Sequence, residues 1–260
     1  MRRKRRGKKR AAVLALSVFA FLAAAAGARL NPEALQPVSV SVTAAQEETE
    51  FRAETATGAF SPEQVPEYTD SPSVEVNGGV PYFTEEEFTT DTYESFSELD
   101  DLGRCGVAMA CLDESLMPDE PRESIGMIRP SGWHTVKYDG IDGNYLYNRC
   151  HLIAYELSGQ NANELNLITG TRYMNVEGML PYENQTAQFL RESGMHVLYR
   201  VTPVFEGDDL VARGVLMEAE SVEDRGEGLC FCVYCYNVQP GVTIDYSDGS
   251  SEGPAFTGDE

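Results

Sequence analysis

Basic residues are scarce in this chain outside its first ten positions. Its 260 residues include 20 Lys and Arg against 42 Asp and Glu, a formal net charge of −22 at pH 7. Eight of the basic residues lie within residues 1–10, and Lys137 is the single lysine of residues 81–260. Because tight, long-range capture of a polyanion needs many Lys and Arg side chains, the composition argues against that mode of binding.

Other absences narrow the possible functions further. The chain has neither a Walker A motif nor a dinucleotide-binding glycine pattern, so no nucleotide cofactor is expected. No internal repeat is visible, which excludes a repeat array. Histidine occurs three times. Two of these residues, His134 and His196, receive no predicted role.

The first 28 residues have the layout of a secretory signal. A basic tip precedes an apolar run at residues 11–28, and small residues near its end are typical of cleavage sites. Since the run lies near the lower limit for crossing a bilayer, a cleaved signal peptide and a membrane anchor both stay open. In either case the remaining chain is exported, and is secreted or held at the outer face of the cytoplasmic membrane.

The exported part divides into three segments by composition. Residues 29–80 are rich in Glu, Ser, Thr, Ala and Pro without sustained periodicity, which predicts a flexible acidic linker. Residues 81–248 are expected to form one folded domain of ordinary size. Residues 249–260 are expected to be a disordered tail.

Strand-like runs outnumber helical ones within this domain. Residues 206–209 are a hairpin signal between two such runs, and the clearest helical pattern covers residues 181–193, with Gly194 at its end. We therefore expect an α+β fold with a central antiparallel sheet.

A polar and aromatic stretch at residues 144–192 contains the residues best suited to catalysis. A strand-like run there leads into Asn148, Arg149, Cys150 and His151, and a polar connection rich in Asn follows. A lone His is more often a hydrogen-bonded core residue than a catalytic group. An imidazole with its usual pKa of about 6.5 is nevertheless suited to deprotonate water near neutral pH.

Several segments of the domain resemble the DNA/RNA non-specific endonuclease family, the ββα-metal or His-Me-finger nucleases, and above all its streptococcal secreted and DNA-entry members. These proteins carry an Arg-x-His triplet at the end of a strand, a Thr-Gly-Thr-Arg segment and a metal-ligating Asn downstream. The matching positions are residues 149–151, residues 169–172 and Asn175. The similarity covers most of the domain.

The resemblance implies a metal-dependent endonuclease that hydrolyses phosphodiester bonds in DNA and RNA, with a ββα-metal motif in its fold. His151 matches the general base, and Asn175 matches the ligand of Mg²⁺, for which Mn²⁺ is an expected substitute. Glu183 matches the acidic residue that holds a water at the metal. A first-turn Glu that favours the helix dipole is the alternative explanation for Glu183. An enzyme that contacts mainly the phosphates of its substrate would show little sequence specificity.

The resemblance also assigns supporting residues. Arg149 and Arg172 are candidates for gripping the scissile phosphate because guanidinium matches phosphate geometry, although either could pair with a carboxylate instead. Asn148 occupies a position that is Asp in many members and that can orient the His. Asn163 and Asn166 are expected to line the same polar loop and to support it.

A regular helix from Asn175 to Glu183 is not assumed in the sequence-based prediction. Gly178 and Pro181 lie between these two residues, and both disfavour an unbroken ideal helix.

Six cysteines in an exported domain leave three interpretations open. They are small apolar residues in buried strands, partners in a disulfide, or, for Cys230, Cys232 and Cys235, ligands of zinc. Residues 230 and 232 share one face of the expected strand and residue 235 lies on the other, which is poor placement for three converging ligands.

Two other functions compete with the nuclease. One is a catalytically weak surface protein of the same fold that captures nucleic acid, and the other is a zinc or disulfide scaffold without nuclease activity. For the enzyme, the acidic composition predicts weak substrate affinity that is sensitive to salt and metal.

Overall fold

The computed structural model describes residues 59–253 and 256–259. The strands in this part of the chain are β1 (Ser73–Glu75), β2 (Tyr93–Phe96), β3 (Ala108–Leu112), β4 (Val136–Tyr138), β5 (Tyr147–His151), β6 (Leu167–Thr171), β7 (Val197–Val204), β8 (Gly214–Ser221), β9 (Cys230–Tyr236), β10 (Thr243–Ile244), β11 (Ser251–Glu252) and β12 (Phe256–Asp259). The α-helices are α1 (Tyr155–Ser158) and α2 (Leu180–Ser193), and a π-helical turn (Met174–Met179) leads into α2.

Six strands form an antiparallel sheet in the order β1-β9-β8-β7-β3-β2. Side chains alternate between its two faces, so Val215, Met217 and Ala219 of β8 pack in the main core cluster with Ala187 and Leu190 of α2. The expected antiparallel sheet is confirmed. The predicted hairpin is confirmed too, since β7 and β8 pair over eight positions on either side of residues 205–213.

A second, two-stranded hairpin precedes the π-helical turn and α2. In it β5 pairs with β6, from Tyr147 opposite Thr171 to His151 opposite Leu167. Gly170 permits this hairpin to pack closely, because a Cβ at that position would overlap the Cys150 thiol of the facing strand. The hairpin and the helix that follows it position the polar residues described below.

The π-helical turn connects Asn175 to α2 without a break. The Leu180 amide donates to the Asn175 carbonyl, a spacing of five residues. Pro181 lies in the first turn of α2, where a missing N–H costs little. Gly178 lies where a Cβ would come within 3.3 Å of the Cys235 Cβ on β9. The expectation that no single regular helix carries both Asn175 and Glu183 is therefore confirmed.

The predicted linker boundary at residue 80 is too late. Strand β1 pairs with β9, with Ser73 opposite Cys235, and Val76 is buried. The hydroxyl of Tyr236 also donates to the Pro66 carbonyl at 2.7 Å. A short edge strand is held by backbone hydrogen bonds, which need no apolar periodicity, and composition alone therefore missed it.

The prediction that residues 249–260 form a disordered tail is also wrong, again because backbone pairing between strands needs no apolar periodicity. Strand β11 pairs with β10, and the backbone of β12 pairs with β4. None of the helices in the described part of the chain is long and apolar enough to cross a bilayer. The predicted signal or anchor at residues 1–28 and the first part of the predicted linker lie outside the described residues.

Candidate active site

A cleft of about 840 Å³ lies beside the β5–β6 hairpin and the start of α2. Six of the side chains selected from the sequence line it: Asn148, Arg149, His151, Arg172, Asn175 and Glu183. The fold thus brings together residues that are up to 35 positions apart in the chain. Asn163 and Asn166 do not line the cleft.

His151 ends strand β5 and is 6% exposed. Its Nε2 lies 2.8 Å from the Asn161 carbonyl oxygen, which can only accept, so Nε2 carries the proton and Nδ1 holds the lone pair. The Nη2 of Arg122 lies 3.2 Å from that Nδ1. Burial, together with the charge of Arg122, lowers the pKa of His151 to about 4, so the ring is neutral at physiological pH.

Glu183 places a carboxylate on the wall of the cleft and is 9% exposed. Among the residues that the structure describes, none donates a hydrogen bond or forms an ion pair with it. Burial and, to a smaller extent, the charge of Glu156 raise its pKa to about 8. An anion placed in this way is unfavourable unless a cation joins it.

Asn175 lies on the π-helical turn with its amide in the same cleft. Its Nδ2 is 3.5 Å from the Asn148 Oδ1, and within the described part of the chain no donor contacts its Oδ1. One amide oxygen and one buried carboxyl group without a hydrogen-bond donor among the described residues are hard oxygen ligands of the kind that Mg²⁺ prefers. The residues present therefore fit a divalent cation that completes its shell with water or phosphate.

Arg172 follows β6 and is held by two neighbours. Its Nε and Nη2 donate to Asp142 at 3.2 and 2.5 Å, and its Nη1 donates to the Asn148 Oδ1 at 3.2 Å. The sequence-based expectation that residue 148 orients His151 is not what the structure shows. The Asn148 side chain instead contacts Arg172 and Asn175, because residues 148 and 151 are three positions apart on β5 and therefore lie on opposite faces of the strand.

Arg149 is engaged by neighbouring backbone. Its Nε and Nη2 donate to the carbonyls of Ile128 and Gly126, and its guanidinium stacks on Trp133 at 3.9 Å from the ring centroid. Its side chain lines the cleft while two of its three nitrogens tie down the segment around residue 126.

Asn163 and Asn166 hold the connection between β5 and β6. The Asn163 side chain accepts from the Leu165 amide at 3.0 Å. Asn166 is fully buried, accepts from the Ile153 amide at 2.8 Å and donates to the Ile153 carbonyl at 2.9 Å. This connection includes Asn161, whose carbonyl oxygen contacts His151.

A family model described as DNA/RNA non-specific endonuclease matches residues 84–223, more than half of the chain. The chain belongs to this family. The fold of this endonuclease-family protein is similar to that of NucA from Streptococcus agalactiae solved with magnesium bound, with a TM-score of 0.64 and 25% identity over 80% of this chain and 96% of NucA. NucA without metal gives the same TM-score and identity over 82% and 99%.

A third solved structure, the Sda1 nuclease with a zinc ion, has a TM-score of 0.52 and 29% identity, over 62% of this chain and 80% of Sda1. Together with the family match, these similarities confirm the family resemblance seen in the sequence, including its streptococcal members.

Three contributions to the endonuclease-family site are not visible in the sequence. Arg122 contacts His151 from 29 positions upstream, within a charged segment that has no motif. Asn161 contributes a backbone carbonyl, which any residue type would supply. Glu156 lines the cleft from α1 and pairs with Arg191 at 2.6 Å. Long-range contacts of this kind carry no local sequence signal.

Five of the cysteines are free and buried in the structure, namely Cys105, Cys111, Cys150, Cys232 and Cys235, whereas Cys230 is partly exposed. Cys235 packs in the main core cluster and Cys232 in the cluster on the opposite face of the sheet. The expectation that Cys232 and Cys235 face opposite sides is confirmed. Within the described residues no group of three or more His, Cys, Asp or Glu side chains is placed to hold a metal ion.

Proposed function

We propose that this protein is an exported, divalent-metal-dependent endonuclease that hydrolyses phosphodiester bonds in DNA and RNA. The observation that carries the proposal is the state of His151. A backbone carbonyl selects the tautomer, burial keeps the ring neutral, and the ring lies in the cleft that holds Asn175 and Glu183. A neutral imidazole with an available lone pair is the form that a general base requires.

In the proposed reaction His151 acts first on water. Its Nδ1 accepts a proton while Nε2–H stays bonded to the Asn161 carbonyl, which stabilises the resulting imidazolium. The hydroxide formed in this way attacks the phosphorus of a phosphodiester in the cleft, the bond from phosphorus to the departing sugar oxygen breaks, and that oxygen takes a proton from solvent water. Because no atom changes its oxidation state, the reaction needs no oxidant and no nucleotide cofactor.

Asn175 and Glu183 are proposed to hold Mg²⁺, with Mn²⁺ as a substitute. Asn175 contributes its Oδ1, and Glu183 accepts hydrogen bonds from water in the cleft next to the ion. When bound, a divalent ion neutralises charge on the phosphate and stabilises the departing oxygen. The metal seen in NucA supports this choice for the present chain.

Arg172 and Arg149 are proposed to contact the phosphate. The partner of Arg172, Asp142, is 79% exposed, and an ion pair so close to solvent contributes only about 0–1 kcal/mol. Phosphate can therefore replace Asp142 without a large penalty. Arg149 has Nη1 left for the substrate, since Nε and Nη2 are used by backbone carbonyls.

Contacts to the phosphates of DNA and RNA, made by few arginines in a strongly acidic chain, give weak affinity that depends on salt and metal. Export rests on the signal-like residues 1–28, whose apolar part, residues 11–28, either is cleaved or anchors the protein to the membrane.

Cleavage of plasmid DNA and of RNA by the purified protein, with Mg²⁺ or with EDTA, tests the proposal. We expect Mg²⁺-dependent cleavage of both, and His151→Ala should lower the rate about 10²- to 10⁴-fold. His134→Ala is the matched control, since that ring contacts the Asp248 carbonyl and does not line the cleft. Unimpaired cleavage by His151→Ala would remove the assigned base. A gel shift without any cleavage would favour the binding protein.

A further inference from the structure

Arg122 donates a hydrogen bond to the Nδ1 of His151, the atom with which the proposed general base must accept a proton. We propose that Arg122 masks the His151 lone pair in the substrate-free enzyme and leaves it to grip the substrate phosphate. Phosphate binding would thereby release the base. The inference rests on the proposed function, and it adds a positioning role to a residue that neither the sequence motifs nor the expected catalytic set includes.

The masking follows from the two hydrogen bonds of the ring. Since Nε2 is committed to the Asn161 carbonyl, Nδ1 is the remaining basic nitrogen. The guanidinium of Arg122 donates to it at 3.2 Å. A lone pair that accepts from a permanently protonated guanidinium cannot take a proton from water at the same time. The base is therefore unavailable until Arg122 moves.

The segment that carries Arg122 is built for such a movement. We call residues 119–126 the strap; all of them except Ile125 are exposed. The Tyr155 hydroxyl holds one end by donating to the Glu120 carbonyl at 2.7 Å, and Arg149 holds the other end at Gly126. Between these two anchors the strap makes few hydrogen bonds, so the Arg122 side chain can turn without disturbing the core.

Phosphate is the stronger partner for this guanidinium. Among the described residues, Arg122 forms no ion pair and no hydrogen bond besides the one to His151. That acceptor is neutral and takes a single hydrogen bond, whereas a phosphodiester is anionic, attracts the guanidinium electrostatically and can accept two parallel N–H bonds from it. The arrival of phosphate therefore favours the unmasked arrangement.

The imidazole ¹⁵N resonances of His151 test the masking directly. Arg122→Met keeps an unbranched side chain but donates no hydrogen bond, and Arg122→Lys keeps both a donor and a charge. We expect the Nδ1 resonance to move toward that of a free lone pair in Arg122→Met and much less in Arg122→Lys. His134 and His196 should be unaffected in both variants and serve as internal controls.

Release by substrate is tested with a short oligothymidylate in EDTA, where no turnover occurs, at an oligonucleotide concentration that a gel shift shows to saturate the protein. In the wild type the oligonucleotide should move the Nδ1 resonance in the same direction as Arg122→Met does, and in Arg122→Met it should add little. An Nδ1 resonance that Arg122→Met leaves unchanged overturns the masking. A resonance that Arg122→Met moves but the oligonucleotide does not overturns the release.

Turnover separates this inference from the proposed function. Loss of the charge-assisted contact between Arg122 and phosphate should lower kcat/KM at least about 10- to 100-fold in Arg122→Met, with partial rescue in Arg122→Lys. Arg225→Ala removes an exposed positive charge that pairs with Glu85 and does not line the cleft, and it should change kcat/KM little. If the wild type cleaves and His151→Ala does not, the proposed function stands whatever Arg122 does. Wild-type kcat/KM in Arg122→Met overturns the phosphate grip alone.

Discussion

Two buried glutamates on different parts of the molecule show how the same side chain serves the fold in one place and the cleft in the other. Glu218 on β8 is 1% exposed and accepts from the Arg200 Nε and Nη2 at 2.7 and 2.9 Å and from the Tyr82 amide at 2.7 Å. Glu183 on α2 is 9% exposed and has no such partner among the described residues.

The difference shows where each carboxylate obtains its compensation. Glu218 is neutralised within the chain, and it ties the segment around Tyr82 to the face of the sheet opposite α2. In the proposed function, Glu183 obtains its compensation from a divalent cation bound from solution, which a residue with a purely structural role would not need. Changes at Glu218 should therefore affect stability, and changes at Glu183 should affect activity.

The largest expected effect is that of Glu218→Ala. Removing Glu218 leaves the largely buried Arg200 with only its ion pair to Glu87 and should lower the free energy of unfolding by about 3–5 kcal/mol. Urea denaturation measures it. Glu206→Ala is the matched control, since the exposed pair of Glu206 with Arg213 contributes about 0–1 kcal/mol. Equal losses in the two variants would contradict the role given to Glu218.

Glu183→Gln should have the opposite effect to Glu218→Ala, lowering activity and not stability. The substitution keeps the shape but removes the charge that holds water beside the metal, so kcat/KM should fall about 10- to 100-fold. Because the variant no longer buries a charge, its unfolding free energy in EDTA at pH 8 should equal or exceed that of the wild type. A large loss of stability would instead make Glu183 a structural residue.

Metal should stabilise the protein more at high pH than at low pH. The raised pKa of Glu183, about 8 against an ordinary 4.5, means that its contribution to stability is fully present below pH 4.5 and is lost as the pH rises through 8 in the absence of metal. Mg²⁺ binds the ionised form. At about 100 times its Kd it should add up to about 2.7 kcal/mol.

Thermal unfolding with Mg²⁺ or EDTA at pH 5 and pH 8 measures this difference. We expect a larger rise in Tm at pH 8, and Glu183→Gln should make the rise similar at both pH values. A rise that is greater at pH 5 would show that the metal does not act through this carboxylate.

Acid should impair His151 at a lower pH than is usual for histidine. Its pKa of about 4 keeps the ring neutral and basic at pH 5 to 6, and protonation abolishes its function only below that range. With saturating Mg²⁺, the acid limb of kcat/KM should therefore lie below pH 6. At low Mg²⁺ the limb should move to higher pH, because protonation of Glu183 then competes with the metal. An acid limb near pH 6.5 that does not depend on the Mg²⁺ concentration would contradict the roles assigned to His151 and Glu183.

The smallest effect concerns Asp142, which pairs with Arg172 in the cleft much as Glu87 pairs with Arg200 on the sheet. Asp142→Asn frees Arg172 for phosphate and should lower KM by a few-fold at low salt, since an exposed pair is worth about 0–1 kcal/mol. Initial rates at several NaCl concentrations measure this. A higher KM would mean that Asp142 positions Arg172 rather than competing for it.

Local sequence patterns predicted the elements that depend on local interactions. Pro181 and Gly194 mark the ends of α2, and residues 206–209 mark the β7–β8 hairpin. Strands β1 and β12 were missed because backbone pairing with distant strands leaves no periodicity.

Only part of the candidate site was predicted, because long-range contacts leave no local pattern in the sequence. The resemblance identified His151 and Asn175, which lie in recognisable segments, whereas Arg122 lies in a segment without a motif and reaches the site through the tertiary fold. The contrast between Glu183 and Glu218 could not be predicted either, since it depends on which groups surround each carboxylate.

The π-helical turn before α2 sets the angular phase between Asn175 and Glu183. Each residue advances an α-helix by about 100° around its axis, so one residue more or fewer between the two positions would turn the amide away from the cleft. Deleting Val176 could leave a regular, well-packed helix and still separate the two oxygen donors. The segment between Asn175 and Glu183 thus acts as a spacer in which the number of residues matters more than their identity. Homologues should therefore vary the side chains of this segment far more readily than its length.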